Sequence, residues 1–109
     1  MNWGQEIAYF FGGLFLANSF PHYISGLMGR AFQSPFAKPR GEGYSGAVTN
    51  VLWGFLNLIA AYYLLVQIGD FDLHNYAHVG AFGLGMLLMG LFAARHFGKF
   101  NGGGTGKFS

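Results

Sequence analysis

Residues Val51–Ile68 read VLWGFLNLIAAYYLLVQI, eighteen consecutive positions without an acidic or basic side chain. They lie inside a longer charge-free window, residues 43–69, and two more such windows cover residues 7–29 and 73–94. The three windows hold 27, 23 and 22 residues, and a helix needs about 20 to cross a hydrocarbon layer about 30 Å thick. Inside lipid every backbone N–H and C=O has to be satisfied within the spanning structure, which leaves helices and closed barrels. Barrel strands would show segments of about 10 residues with alternating polarity, and the runs here are long and continuous. The expected fold is therefore all-α, an integral membrane protein with three transmembrane helices packed as a small bundle.

Helix breakers and charges set the expected boundaries: spans at Trp3–Met28, Gly46–Ile68 and His74–Ala94, together one domain over residues 1–100. Pro21 removes a backbone hydrogen bond inside the first span, so that helix is expected to kink. Residues 30–45 read as a loop because Pro35, Pro39, Gly41 and Gly43 interrupt any helix there. Gly69–Leu73 is a tight connection, and residues 101–109, with three consecutive glycines, read as a flexible tail. Ala17-Asn18-Ser19 has the small-x-small form of a signal-peptidase site, but no basic segment precedes it, so the first span is expected to be retained.

Composition agrees with position. Of the 109 residues, 52% are hydrophobic and only 9% charged, against about 25% charged in a typical soluble domain. A chain this small has a large surface to cover for its volume, and these charges are too few to cover it. The basic residues Arg30, Lys38 and Arg40 fall in the first loop, and Arg95, Lys99 and Lys107 follow the third window. Three spans put both groups on one side of the membrane, which the positive-inside rule makes cytoplasmic. Asp70, Asp72 and Glu6 fall on the opposite side. The N-terminus is expected outside and the C-terminus in the cytoplasm, of an inner or cytoplasmic membrane. Six basic residues spread over two juxtamembrane segments do not form the clustered face that nucleic acid requires, so no nucleic-acid partner is expected. Phe32, Phe36 and Tyr44 suit the headgroup region, with the loop cations meeting anionic lipid.

Polar residues within the spans are costly in lipid and are the natural functional candidates. On the first helix Asn18, His22, Ser25, Gly26 and Gly29 share one side; on the second, Asn50, Gly54, Asn57 and Ala61 do. The carbonyl freed near Ala17 by Pro21 calls for a donor from Asn18, Ser19 or water. His22, Asn18, Asn50 and Asn57 are candidates for ligand binding or a proton relay, with interhelical hydrogen bonding as the alternative. Gly26, Gly29 and Gly54, with Ala77, Ala81 and Gly85 on the third helix, read as close-packing positions. His74 and His78 have the i, i+4 spacing that lets two imidazoles reach one metal on a helix, with Glu6, Asp70 and Asp72 expected on the same side. A paired-histidine haem is disfavoured by depth. His22 sits about 12 Å from the cytoplasmic end of its span at 1.5 Å per residue, and no other histidine of the chain is expected at that level.

No cysteine is present, which excludes disulfides, thiolate metal sites and thiol nucleophiles. There is no nucleophile elbow, no HExxH and no phosphate-binding glycine loop, and no set of residues reads as catalytic. The expected function is that of a small non-enzymatic membrane protein, working as a homo-oligomer or as an accessory subunit of a larger membrane complex. The alternative is a small transport, channel or cofactor-binding protein that uses the intramembrane His and Asn residues for a metal, haem or pigment.

Overall fold

Asn2 opens the first helix, α1 (Trp3–Leu27), by accepting the Gln5 amide on its side chain at 3.1 Å, the usual means of satisfying a free N-terminal N–H. The computed structural model describes residues 2–104. Helical geometry continues across Pro21. Neither side chain serves the Ala17 carbonyl: the Ser19 hydroxyl donates to Leu16 O at 2.6 Å and the Asn18 amide reaches another helix. α1 ends where Gly29 turns left-handed at φ +73°, with the Gly29 amide bonded to Gly26 O and the Arg30 amide to Ser25 O. That pairing is a Schellman cap, which needs a residue tolerant of positive φ. Gly29 is thus a helix terminator with open space around it, not the packing position its spacing suggested.

The loop holds more structure than a chain rich in proline and glycine implies. Phe32–Gln33 (β1) and Tyr44–Ser45 (β2) pair antiparallel, Phe32 opposite Ser45 and Gln33 opposite Tyr44. This two-rung ribbon is the one departure from an all-helical chain among the described residues. It leads directly into α2 (Ala47–Tyr62), which continues through a π-helical segment, Tyr63–Ile68. α3 runs from Tyr76 to Asn101, starting later and ending later than expected. Asn75 caps its start by accepting the Ala77 and His78 amides, which leaves His74 in the preceding turn. No proline follows Ala94, so the helix runs on until Gly102 ends it at φ +91°. The expected tail is thereby shortened at its start, and residues 105–109 of it lie outside the described residues.

Two of the three helical segments are long and apolar enough to cross a membrane: Ala47–Ile68 with 22 residues and Tyr76–Asn101 with 26. α1 has 25 residues but carries Asn18, Ser19, His22, Ser25 and four glycines. This helix, which does not meet that test, occupies the middle. It packs along α2 on one side and α3 on the other, while α2 and α3 meet only marginally.

Both crossings rest on glycine pairs. A Cβ on Gly26 would lie 2.6 Å from Ala47 O, and one on Gly54 would lie 2.6 Å from the Tyr23 amide nitrogen. At the other crossing, a Cβ on Gly13 would run into the Phe82 carbonyl and one on Gly85 into the Phe10 carbonyl. The contacts are reciprocal and backbone to backbone, the arrangement that small residues permit between helices. Gly13 escaped the sequence reading; its adjacency to Gly12 was the available sign. Ala77 and Ala81 are half-buried on the Gly85 stripe of α3.

The interior is polar and the exterior apolar. Among the described residues the buried apolar side chains are Ala8, Tyr9 and Ala61, whereas Ser19, His22, Gln33, Ser34, Asn50 and Asn57 are all at most 2% exposed. Val48, Leu52, Phe55, Leu56, Ile59 and Val66 project from α2, and Leu84, Leu87, Leu88 and Leu91 from α3, each about half exposed or more.

Candidate functional site

The buried polar residues collect where α1 ends, α2 begins and α3 terminates. Asn50, in the first turn of α2, organises them. Its Nδ2 points at three carbonyl oxygens, Phe32 O at 3.2 Å and Ser45 O and Gly46 O at 3.1 Å each. One amide thereby ties both strands of the ribbon to the helix start. Carbonyls only accept, so the amide orientation is fixed, and Oδ1 faces His22 Nδ1 at 2.9 Å. Asn50 Oδ1 has no proton to give, so His22 Nδ1 must donate. The proton of the neutral ring therefore sits on Nδ1, and Nε2 carries the lone pair.

His22 is 2% exposed and enclosed edge-on by aromatic rings, with Phe32 at 5.5 Å, Phe97 at 5.9 Å and Trp53 at 6.3 Å between centroids. It lines a cavity of about 220 Å³ together with Asn18, Ser34, Trp53, His96 and Phe97. His96 Nε2 donates to Gly41 O at 2.6 Å and so pins the loop over the end of α3. Asn101 adds a second tie, donating to Gln33 Oε1 at 2.8 Å. Two donors here are buried without an acceptor among the described residues, Trp53 Nε1 and Gln33 Nε2. Trp53 forms cavity wall, edge-on to Phe36 at 5.2 Å.

The His22 depth argument changes with the length of α3. Because that helix continues to Asn101, His96 lines the same cavity as His22, and the two are not separated in level as a third helix ending at Ala94 implied.

No family model, curated protein or solved structure matches the chain. The geometry alone has to carry the reading.

Asn18 and Asn57 meet one level away from His22. Asn18 Nδ2 donates to Asn57 Oδ1 at 3.1 Å, and Asn57 Nδ2 returns to Trp53 O at 2.8 Å. All four polar candidates thus stand at the α1–α2 contact, as two cross-helix pairs.

At the far end of the molecule Tyr9 is wholly buried and accepts the Asp70 amide on its hydroxyl at 2.8 Å. Its ring lies 4.3 Å from that of His78 and 5.5 Å from that of Phe71. His78 Nδ1 accepts the Asp72 amide at 3.0 Å, and Nε2 stands 4.0 Å from Glu6 Oε1. His74 does not join it. The i, i+4 argument required both histidines on one helix, and Asn75 starts the helix after His74. His74 instead donates its amide to Asp72 Oδ1 at 2.9 Å. Among the described residues, no three His, Asp or Glu side chains are grouped so as to hold a metal ion.

Proposed function

We propose that this chain is an integral membrane protein with three spans, acting without catalysis as a homo-oligomer or as an accessory subunit of a larger membrane complex. The observation that carries the reading is the inverted distribution of polarity. Among the described residues, six buried polar side chains against three buried apolar ones, beneath exposed rows of Leu, Ile, Val and Phe, would be unfavourable in water. At about 25 cal/mol per Å² of exposed apolar surface, such faces call for lipid or a partner. In lipid the arrangement is reasonable, because interior hydrogen bonds and close glycine contacts, not apolar burial, hold helices together. The central place of α1 supports a third span: it packs between the two helices that are long and apolar enough to cross a membrane.

Orientation follows from charge. The loop and the end of α3 are joined by the His96–Gly41 and Asn101–Gln33 bonds. They bring Arg30, Lys38, Arg40, Arg95 and Lys99 to one end, the cytoplasmic one under the positive-inside rule, with the N-terminus outside. A reporter fused after Ser109 is expected to be active only in the cytoplasm; activity only outside would overturn the orientation. Native mass spectrometry after gentle extraction tests the assembly. Multimers of the 11.9 kDa unit or a heteromeric mass are expected, and a lone monomer would defeat the subunit reading.

A second reading, a small ligand-binding membrane protein, is favoured by one specific observation: His22 lines a cavity, and its Nε2 has no hydrogen-bond partner among the described residues.

A further inference from the structure

We propose that the His22 cavity is a head-group site for an anionic phospholipid bearing a free hydroxyl, with the hydroxyl donating to His22 Nε2. The inference rests on the membrane reading above and deepens it by naming a lipid and a place for it.

Three observations converge. The first is the fixed polarity of His22. With Nδ1 committed as a donor to Asn50 Oδ1, the ring presents to the cavity an acceptor that has no hydrogen-bond partner among the described residues. An acceptor on a residue that lines a cavity takes an O–H or N–H, not a bare anionic oxygen. The second is charge. The cavity shares Pro35 and Trp53 with a groove edged by Lys38 and Arg40, and Phe92 and His96 with a groove edged by Arg95 and Lys99. Glu42 is the sole carboxylate in this part of the chain, so the surroundings favour an anion. The third is the apolar rim. Phe92 and Phe36 are 61% and 63% exposed beside these grooves, where acyl chains would lie. A hydroxyl donor, an anionic phosphate and an apolar body are joined in one molecule by a phosphatidylglycerol-like lipid. A free glycerol phosphate has the same polar chemistry and lacks the apolar body.

The test uses the full-length protein in nanodiscs and in detergent for native mass spectrometry. Three lipids are compared: phosphatidylglycerol, phosphatidylmethanol (the same charge without the hydroxyl) and zwitterionic phosphatidylcholine. Phosphatidylglycerol should be retained about three- to tenfold better than phosphatidylmethanol, the range of one net hydrogen bond. Phosphatidylmethanol should in turn exceed phosphatidylcholine. Replacing both exposed cations, Lys38→Ala with Arg40→Ala, should weaken retention of both anionic lipids roughly thirtyfold and leave their ratio unchanged.

Because a His22 variant can fail to fold, the decisive readout is made on the unaltered protein. In ¹⁵N-histidine spectra, phosphatidylglycerol should shift the His22 Nε2 resonance and leave the Nδ1–H in place, and phosphatidylmethanol should not. Equal retention of the three lipids, or equal Nε2 responses to the two anionic ones, would overturn the site. A response to free glycerol phosphate that phosphatidylglycerol fails to reproduce would overturn the lipid source. A protein that inserts into no nanodisc fails the membrane reading first, which separates the two failures.

Discussion

The two sides of α1 are held by different means. Toward α3, backbone meets backbone at Gly13 and Gly85, with aromatic rings closing the acidic end. Toward α2, the Gly26–Gly54 crossing is supplemented by two side-chain hydrogen-bonded pairs, His22–Asn50 and Asn18–Asn57. Steric closeness tolerates no added atom, whereas a hydrogen bond can be lost and its groups re-paired. Substitution at either glycine crossing should therefore fail abruptly, and loss of a hydrogen-bonded pair on the α2 side by degrees.

The largest effect is expected at the α3 crossing. Gly13→Val or Gly85→Val places a side chain against a carbonyl of the facing helix, and backbone cannot rotate out of the way as a side chain does. We expect a loss of about 3 kcal/mol, the upper part of the overpacking range. In steric-trapping or detergent-unfolding measurements this should appear as little or no folded protein. Gly80, Gly83 and Gly90 lie on the same helix with open space where a methyl group would project; their alanine variants should be neutral or slightly stabilising. If Gly80→Ala and Gly85→Ala proved equally harmful, the distinction between close crossing and open face would collapse.

Next in size is Asn50→Ala. It removes the donor to three carbonyls and leaves the His22 Nδ1–H without its acceptor in a wholly buried setting. A cost of about 2 kcal/mol is expected. Asn57→Ala, by contrast, breaks one part-buried interhelical bond and should cost about 0.6 kcal/mol, the average for such bonds in membranes. Reversible unfolding in mixed micelles can rank the pair, and a larger effect at Asn57 would reverse the hierarchy assigned to the two pairs.

The sequence made the helical segments and their sharing of faces legible because charge-free length and the 3.6-residue period are local properties. Asn18, His22, Asn50 and Asn57 could be placed on facing stripes by that period alone. Their pairing could not, since it depends on how far one helix slides along another. Gly29 misled for a related reason: at the edge of a helix, packing and capping glycines share the same spacing, and only the φ of +73° separates them. Cap chemistry also decided α3. Asn75 as N-cap excluded His74 from the helix, and the absence of a breaker before Gly102 carried His96 up to the cavity. Both facts were present in the residues, but the charge at Arg95 marked an end of the apolar run and not an end of the helix. The ribbon was hidden because two-residue strands carry no detectable alternation.

The smallest effect is expected at the acidic end, where the contact with α3 includes one polar pair. Glu6 and His78 stand 4.0 Å apart, with their side chains 12% and 16% exposed, and the ring is already held by the Asp72 amide and by stacking near Tyr9. Glu6→Gln removes only the charge. A partly exposed pair at this distance contributes within about 1 kcal/mol, so the variant should stay within about 0.5 kcal/mol of the parent. Tyr9→Phe, which leaves the Asp70 amide without its acceptor, should cost about 1 kcal/mol. If Glu6→Gln matched or exceeded Tyr9→Phe in the same unfolding assay, the ion pair would outweigh the Tyr9 hydroxyl bond at this end. The contrast between an α3 side held by close packing alone and an α2 side that adds hydrogen-bonded pairs would then have to be redrawn around an ion pair.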